Sequence, residues 1–240
     1  AMIEKVNEVG QMKEEFSSMI THELKTPLTP ILGWCQTLKN PKIMGELTDK
    51  QRSAVEKIQS NAERLRNLIG DILDAEKLDM EKMKFDYSEI NITEFFTHLK
   101  ANLQDVMKTK ELEYNVSSDA ELVMTTDKDR LEQVFNNIIL NAVDFVNQKG
   151  RIDVNAKDSG DNIEFSVRDN GVGIPKTKLD GLFKKFYQVD TSMTREHGGT
   201  GLGLAIVKGI VSGIGGKIWV ESKENFGTTF YFTIPKKPKN

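Results

Sequence analysis

Two glycine-rich segments contain the residue types that let a protein backbone bind phosphate. Asp169–Pro175 (DNGVGIP) follows a predicted strand, and its glycines permit positive φ angles and close backbone approach. His197–Leu204 (HGGTGLGL) precedes a predicted helix, whose free amides and positive dipole end would face a phosphate. The second segment is neither a Walker A loop, because no Gly-Lys-Ser/Thr follows, nor a Rossmann fingerprint, because no βαβ repeat surrounds it. Each segment taken alone is compatible with an ordinary turn.

A pair of asparagines adds a second kind of chemistry. Asn137 and Asn141 lie four residues apart in a predicted helix, so they share one face of it. Their amide oxygens are hard ligands of the kind that Mg²⁺ accepts. Two capping amides, or two amides at the edge of the core, are the simpler alternative.

One of the three histidines lies beside the apolar seam of a predicted helix. His22 lies in a predicted helix between the apolar residues Ile20 and Leu24, so its ring should project from the helix beside an apolar seam. An imidazole with its ordinary pKa of about 6.5 is mostly neutral near pH 7 and has a nucleophilic nitrogen. A solvated helix histidine is the alternative. His98 is expected at a helix surface, and His197 precedes the second glycine-rich segment.

Two long helices must position His22. Their apolar residues repeat with steps of three, four and seven, which is a heptad pattern. The predicted helices cover about residues 3–39 and 49–82, joined by a link at 40–48, and Thr48 with Gln51 forms a predicted capping box. The seam residues are Val9, Phe16, Ile20, Leu24, Leu28, Ile31, Cys35 and Leu38 in the first helix, and Val55, Ile58, Ala62, Leu65, Ile69 and Ile72 in the second.

A single hairpin of this length cannot bury both seams. Two hairpins can do so as a four-helix bundle, so the pattern predicts a homodimer. Packing of the hairpin against the rest of its own chain is the alternative. Pro27 and Pro30 lie inside the first helix, where each removes an amide donor and should bend the helix or loosen its preceding turn.

From about residue 84 onward, strands alternate with helices. The predicted helices cover about 92–107, 127–146 and 203–213, and hairpin turns fall at 159–161 and 225–227. This order predicts an α+β layer of helices on one face of a mixed sheet. The predicted strands are 84–87, 112–116, 122–125, 152–156, 163–167, 217–221 and 228–234.

Composition excludes several classes of protein. The 240 residues carry 33 basic and 36 acidic side chains, and this net charge of −3 argues against a strongly cationic nucleic-acid binder. No apolar stretch reaches the roughly 18 residues of a membrane span. The single Cys35 excludes an internal disulfide and a multi-cysteine metal site. We therefore expect a protein of a reducing compartment such as the cytoplasm, or a piece of a larger protein, without membrane or nucleic-acid contact.

Five motifs in order resemble those of the sensor histidine kinases of two-component systems. Phe16–Leu28 (FSSMITHELKTPL) resembles the H box, Asn137–Ala142 the N box and Asp169–Gly173 the G1 box. Leu182–Phe186 resembles the F box and Gly199–Gly203 the G2 box, so the resemblance covers about residues 10–235.

The resemblance implies an all-α helical hairpin that forms a dimeric four-helix bundle, followed by an α+β two-layer sandwich of the Bergerat type. The implied divisions are an N-terminal linker helix (1–15), a dimerisation and histidine phosphotransfer domain (16–82), a hinge (83–90) and a catalytic ATP-binding domain (91–236).

The same resemblance implies roles for individual residues. His22 would accept the phosphoryl group, Glu23 would orient the ring and take its proton, and Thr26 would position water for regulator dephosphorylation. Asp169 would accept the adenine amino group, and Asn137 and Asn141 would hold Mg²⁺ against the phosphates of ATP. Residues 186–201 would form a lid over the nucleotide. The other implied nucleotide contacts are Phe145, Gly171, Gly173, Ile174, Lys185, Phe186, Arg195, Gly199, Thr200, Gly201, Leu202, Gly203 and Thr228.

Two positions depart from the family pattern. Asp144 stands where many members have lysine, and Gln188 stands where many have a basic residue. Lys184, Lys185 and Arg195 are the candidates to supply the missing positive charge.

The resemblance implies ATP-dependent autophosphorylation of His22 and transfer to an aspartate of a response regulator, with phosphatase activity as a further implied function. An ATP-binding scaffold or phosphatase with weak autokinase activity is one alternative, favoured by Asp144 and Gln188. A gyrase-like ATPase clamp is another, although it would not need His22 and Glu23 on a heptad hairpin.

Overall fold

The chain forms two compact units that divide between residues 80 and 81. The structure, a computed structural model, describes residues 19, 21, 23–119, 121–188 and 200–238. His22, Arg195 and Gly199 lie outside the described residues, as do Val9, Phe16, Ile20 and His197.

The first unit is a helical hairpin. Helix α1 is described over residues 23–38, α2 is a single turn at Pro41–Met44, and α3 spans Asp49–Asp79. The predicted capping box is confirmed, because the Thr48 hydroxyl accepts from the Gln51 amide and the Gln51 side chain accepts from the Thr48 amide. Helix α1 is continuous through Pro27 and Pro30.

The heptad seams split into a buried half and an exposed half. Leu28, Leu32, Ala62 and Ile69 form a buried cluster inside the hairpin. Five other seam residues are 41–54% exposed and repeat at intervals of seven, so each helix presents a second apolar stripe outside the hairpin core. These exposed residues are Leu24 and Ile31 in α1, and Ile58, Leu65 and Ile72 in α3.

The second unit is a layer of helices on a five-stranded sheet with strand order β2-β4-β5-β7-β6. Strand β2 is parallel to β4, and the other pairs are antiparallel, so the predicted mixed sheet is confirmed. A separate two-stranded sheet pairs β1 with β3. The strands are β1 (Ser88–Asn91), β2 (Glu113–Ser118), β3 (Val123–Thr126), β4 (Arg151–Ser159), β5 (Asn162–Asp169), β6 (Lys217–Lys223) and β7 (Gly227–Pro235). The helices are α4 (Ile92–Thr109), α5 (Lys128–Phe145), the single turn α6 (Lys176–Leu179) and α7 (Gly203–Gly213).

Aromatic rings lock the helices onto the sheet. The Phe135 ring of α5 meets Phe165 of β5 edge-on at a centroid distance of 5.4 Å and Phe232 of β7 at 5.2 Å. Phe96 of α4 meets Phe135 at 5.5 Å. These fully or nearly fully buried rings fix α5, and with it the two asparagines, over the centre of the sheet.

The predicted strand at residues 84–87 is wrong. The segment is irregular, and its strand begins only at Ser88. Two contacts of its own hold it instead: the Asp86 amide donates to the Asp127 carboxylate at 2.8 Å, and Phe85 lies where a side chain on Gly213 would be. A backbone amide bound to a side chain is not available to a strand partner.

None of the helices in the described ranges combines the length and apolar character needed to cross a membrane.

Candidate nucleotide site

Asp169, the last residue of β5, has a buried carboxylate that is 6% exposed. Its Oδ1 accepts the amide of Gly171 at 2.8 Å and the amide of Thr228 at 3.3 Å. Burial raises the pKa of this carboxyl above its ordinary value, and the two backbone hydrogen bonds oppose that rise. Because both bonds end on Oδ1, Oδ2 keeps its lone pairs for a donor outside the backbone.

Ser222 of β6 joins the loop after β5 to β7, a role that sequence reasoning missed. Its hydroxyl accepts the Ile174 amide at 2.8 Å, lies 3.0 Å from the Gly227 carbonyl and lies 2.8 Å from the Thr228 hydroxyl. The carbonyl can only accept, so the single Ser222 proton goes there and Thr228 donates to Ser222. Thr228 Oγ1 is therefore left with lone pairs and acts as an acceptor.

The glycines around Asp169 are needed for close contact between backbones. A Cβ on Gly171 would lie 2.5 Å from the Phe145 carbonyl oxygen, and one on Gly173, whose φ is +68°, would lie 2.1 Å from the Lys223 carbonyl oxygen. The Val172 amide donates to the same Phe145 carbonyl at 3.2 Å. These contacts hold the end of α5, the loop after β5 and the β6–β7 turn together around Asp169.

The two asparagines lie on one face of α5, as their spacing predicts. The amide oxygen of Asn137 is 3.4 Å from the position of a Cβ on Gly203, the first residue of α7. Its buried Nδ2 has no hydrogen-bond partner among the described residues. A buried amide nitrogen without a partner is costly, and this one belongs to the side chain whose oxygen lies beside the N-terminal end of α7, where a phosphate fits. Asn141 lies one turn further along α5 and is partly exposed.

The two described ends of the predicted lid meet. The Phe186 amide donates to the Gly201 carbonyl at 2.9 Å, and Gly201 has a φ of +70°. The Leu202 amide donates to the Thr200 hydroxyl at 3.1 Å, which shapes the turn into α7. Phe186 itself is 73% exposed with a φ of +60°.

Positive charge near the end of α5 comes from a residue that sequence reasoning missed. Lys110, which follows α4, places its ammonium 2.6 Å from the Val143 carbonyl, next to Asp144. Lys110 is far from α5 in sequence, so no motif could have pointed to it. Lys185 is half-buried, and Lys184 is exposed. No group of three or more histidine, cysteine, aspartate or glutamate side chains among the described residues could hold a metal ion.

The described part of the predicted phosphoacceptor site lies on α1. Thr21 is 6% exposed, whereas Glu23 and Thr26 are exposed and lie three residues apart on the helix.

Comparison with known families finds two matches in succession. Residues 12–81 match the His Kinase A (phospho-acceptor) domain, and residues 126–238 match the histidine kinase-, DNA gyrase B- and HSP90-like ATPase.

Individual relatives agree with the family matches. The circadian input-output histidine kinase CikA of Synechococcus elongatus is 36% identical over 94% of this chain and 30% of its own length. The sensor histidine kinase WalK of Bacillus subtilis is 36% identical over 95% of this chain and 38% of its own length. Full-length ShkA, solved in complex with AMPPNP, superposes with a TM-score of 0.76 at 27% identity, over 94% of this chain and 46% of that one. The chain thus spans only about a third of the length of these two curated relatives.

Proposed function

The chain belongs to the sensor histidine kinases of two-component systems, and from this premise we propose that it is an ATP-dependent protein-histidine kinase. In this proposal the second unit binds ATP, and His22 of the hairpin receives the γ-phosphoryl group. The observation that carries the proposal is the buried Asp169 carboxylate, fixed through Oδ1 by two backbone amides.

Asp169 selects adenine in this proposal. The exocyclic amino group of adenine donates hydrogen bonds, whereas guanine presents a carbonyl acceptor at the same edge. A carboxylate accepts only, so Oδ2 favours adenine and repels guanine. The lone pairs of Thr228 Oγ1 add a second acceptor on the same side of the site.

The phosphates lie between α5 and the start of α7. The partnerless Nδ2 of Asn137 and the backbone amides of Thr200, Gly201 and Gly203 supply donors, and the α7 dipole favours negative charge there. Mg²⁺ fits this donor set, because it is commonly held by one or two protein oxygens together with substrate phosphates and water. Asn137 and Asn141 would hold it through their amide oxygens, and it supplies neutralisation of phosphate charge.

The reaction is phosphoryl transfer to nitrogen. A ring nitrogen of His22 forms a bond to the γ-phosphorus while the bond to the β–γ bridging oxygen breaks, and ADP leaves with that electron pair. Glu23 accepts the ring proton, and Thr26, three residues further along α1, positions water for hydrolysis of the regulator's aspartyl phosphate. Arg195 and Lys185 supply positive charge to the transferred group.

The exposed half of the heptad pattern supports a homodimer. Five large apolar side chains at heptad spacing, each at least 41% exposed, form a stripe that a second hairpin would bury in a four-helix bundle.

The response regulator would dock on this bundle close to His22. We place the activity in the cytoplasm as part of a longer sensor.

Incubation of the chain with γ-labelled ATP tests the proposal. We expect label on the protein that is stable to base and labile to acid, and we expect it to disappear in His22→Gln with ATP binding intact. Label that persists in His22→Gln would refute the acceptor assignment. No label would favour the scaffold alternative, and free phosphate with unlabelled protein would favour the ATPase clamp.

A further inference from the structure

The five-stranded sheet has a second face, opposite the helices. Side chains alternate between the two faces along a strand. The open face therefore carries odd-numbered residues of β6 and β7, together with the residues paired with them in β5 and β4. They are polar or aromatic, and all are exposed or partly exposed. We define the open face as Asp153, Asn155, Lys157, Glu164, Ser166, Arg168, Lys217, Trp219, Glu221, Thr229, Tyr231 and Thr233.

The registers arrange these side chains in three rows across the strands. The middle row is Asn155, Ser166, Tyr231 and Trp219. The Trp219 and Tyr231 rings stack at 5.4 Å and 10°, and Trp219 remains 36% exposed. The middle row therefore combines small polar side chains on β4 and β5 with a stacked aromatic pair on β7 and β6.

On each strand that carries charge, the residue in one outer row has the opposite charge to the residue in the other outer row. On β6, Lys217 lies on one side of the middle row and Glu221 on the other. On β5, the corresponding residues are Glu164 and Arg168. On β4 they are Lys157 and Asp153, and β7 has threonine on both sides.

We propose that the open face is a self-complementary surface that binds the open face of a second copy of this chain. A two-fold axis along the middle row brings each residue of one outer row opposite the residue of the other outer row on the same strand. Lys217 then faces Glu221 of the second copy, Glu164 faces Arg168, and Lys157 faces Asp153. Residues of the middle row, including Trp219, meet their own counterparts, as an isologous interface requires.

The twist of the sheet is compatible with this arrangement. In a twisted sheet each strand is rotated relative to its neighbour about an axis that crosses the strands, and the proposed two-fold axis lies along that direction. Rotation by half a turn about it leaves every strand aligned with its counterpart, so two twisted faces stay in contact across their width.

Contacts within one chain do not account for the charges on β6. The in-sheet neighbours of Lys217 and Glu221 are Thr233 and Thr229, which carry no charge. In the described part of the chain, neither side chain forms an ion pair. These two opposite charges, four residues apart on an edge strand, are therefore available to pair with charges outside the sheet.

The size of the face indicates a weak contact. Four strands about 4.8 Å apart and five residues at about 3.3 Å per residue give on the order of 300 Å² per copy. Stable interfaces bury roughly 800 Å² per partner, so this contact is transient and weakens with salt. It is separate from the apolar stripe of the hairpin.

Cross-linking of the full chain tests the proposal. Ser166 lies on the proposed axis. In Ser166→Cys, a bismaleimide that spans the roughly 10 Å between packed sheets therefore joins the cysteines of the two copies. Gln104→Cys on the exposed side of α4 is the matched control, and the parent chain with its buried Cys35 is the blank. We expect Ser166→Cys to cross-link about tenfold faster than Gln104→Cys at low salt, and the advantage to vanish at high salt.

Charge reversal separates this proposal from a general surface effect. Adding Lys217→Glu to Ser166→Cys places two like-charged pairs in the interface and should abolish the advantage. Adding Glu221→Lys as well restores both pairs and should restore the rate. Equal rates at the two cysteine positions, or a double reversal no faster than the single one, would overturn the proposal. Circular dichroism confirms that each variant is folded, because all the changed side chains lie on the surface.

Discussion

Asp169 shows how a single residue can serve the fold and the ligand with different atoms. Its Oδ1 is occupied by the Gly171 and Thr228 amides, and Oδ2 is the atom proposed to bind adenine. In Asp169→Asn the amide oxygen can replace Oδ1, so the fold should survive, but the amide nitrogen then faces the adenine amino group. We expect ATP affinity to fall roughly 30- to 150-fold, about 2–3 kcal/mol, with a smaller loss for GTP.

Calorimetric titration with ATP and GTP measures this change. The exposed Asp161→Asn is the matched control and should bind both nucleotides like the parent chain. Equal loss of both nucleotides would show that Asp169 supports the fold of the site rather than choosing the base.

The raised pKa of Asp169 makes a separate prediction about stability. Burial disfavours the carboxylate, so the folded chain holds this proton to a higher pH than the unfolded chain, whose carboxyl titrates near its ordinary value of 3.8. The contribution of Asp169 to the free energy of unfolding is full below that value and is lost as pH rises through the raised pKa. The difference in free energy of unfolding between the parent chain and Asp169→Asn should therefore fall from about pH 4 upward. Urea denaturation at a series of pH values measures it, and a difference that is constant with pH would contradict this account.

Residue types in sequence pointed to the centre of the candidate site but not to the residues that support it. Asp169 and its glycines stand in one short segment with a recognisable spacing, and the structure places them together. Ser222 and Lys110 act through single hydrogen bonds from other elements. A lone serine in a strand, or a lysine after a helix, has no local pattern, because its partner is fixed only by the tertiary fold.

At the scale of elements, the Gly201 turn links Phe186 to the start of α7. Gly201 and Gly160 have nearly the same φ, +70° and +69°, but a Cβ on Gly201 would meet the Phe186 backbone at 2.8 Å and one on Gly160 would meet nothing within 4 Å. Gly201→Ala and Gly160→Ala should therefore share a backbone strain of about 1–2 kcal/mol. Only Gly201→Ala should also weaken ATP binding, by about tenfold or more, because it breaks the Phe186–Gly201 hydrogen bond. Thermal denaturation and ATP titration of both variants measure the two effects; equal ATP affinities would argue against this role for the turn.

The hairpin predicts its own assembly through the exposed stripe. Leu65 is 44% exposed in one chain, whereas Ile69, one turn later, is 3% exposed. Leu65→Glu should dissociate the dimer, because a carboxylate would be buried in an apolar seam. Leu65→Met keeps the apolar volume and should remain dimeric. Light scattering gives the mass of each variant, and an unchanged mass for Leu65→Glu would place the dimer contact elsewhere.

Periodicity predicted the long elements and failed at a short one. The heptad steps predicted a helix at about 49–82, and α3 spans Asp49–Asp79, so the two differ by three residues at the C-terminal end. The heptad steps do not distinguish the seam residues that pack within the hairpin from those that stay exposed, because the buried and the exposed residues have the same period. Residues 84–87 have strand-like composition, yet the bond from Asp86 to Asp127, 41 residues away, decides their conformation.

At the scale of the whole molecule, the two units have separate cores and should respond separately to heat. The hairpin core is small and its stripe is proposed to be buried by a second copy, so its midpoint should rise with protein concentration. The second unit has its own aromatic core and contains the proposed nucleotide site, so its midpoint should be independent of concentration. AMP-PNP with Mg²⁺ at about 100 times its Kd should stabilise that unit by about 2.7 kcal/mol, which corresponds to a shift of roughly 5–10 °C. Scanning calorimetry at two protein concentrations, with and without nucleotide, measures both effects. A single transition whose midpoint rises with nucleotide would show that the two units unfold cooperatively. The nucleotide would then stabilise the hairpin as well as the unit that binds it.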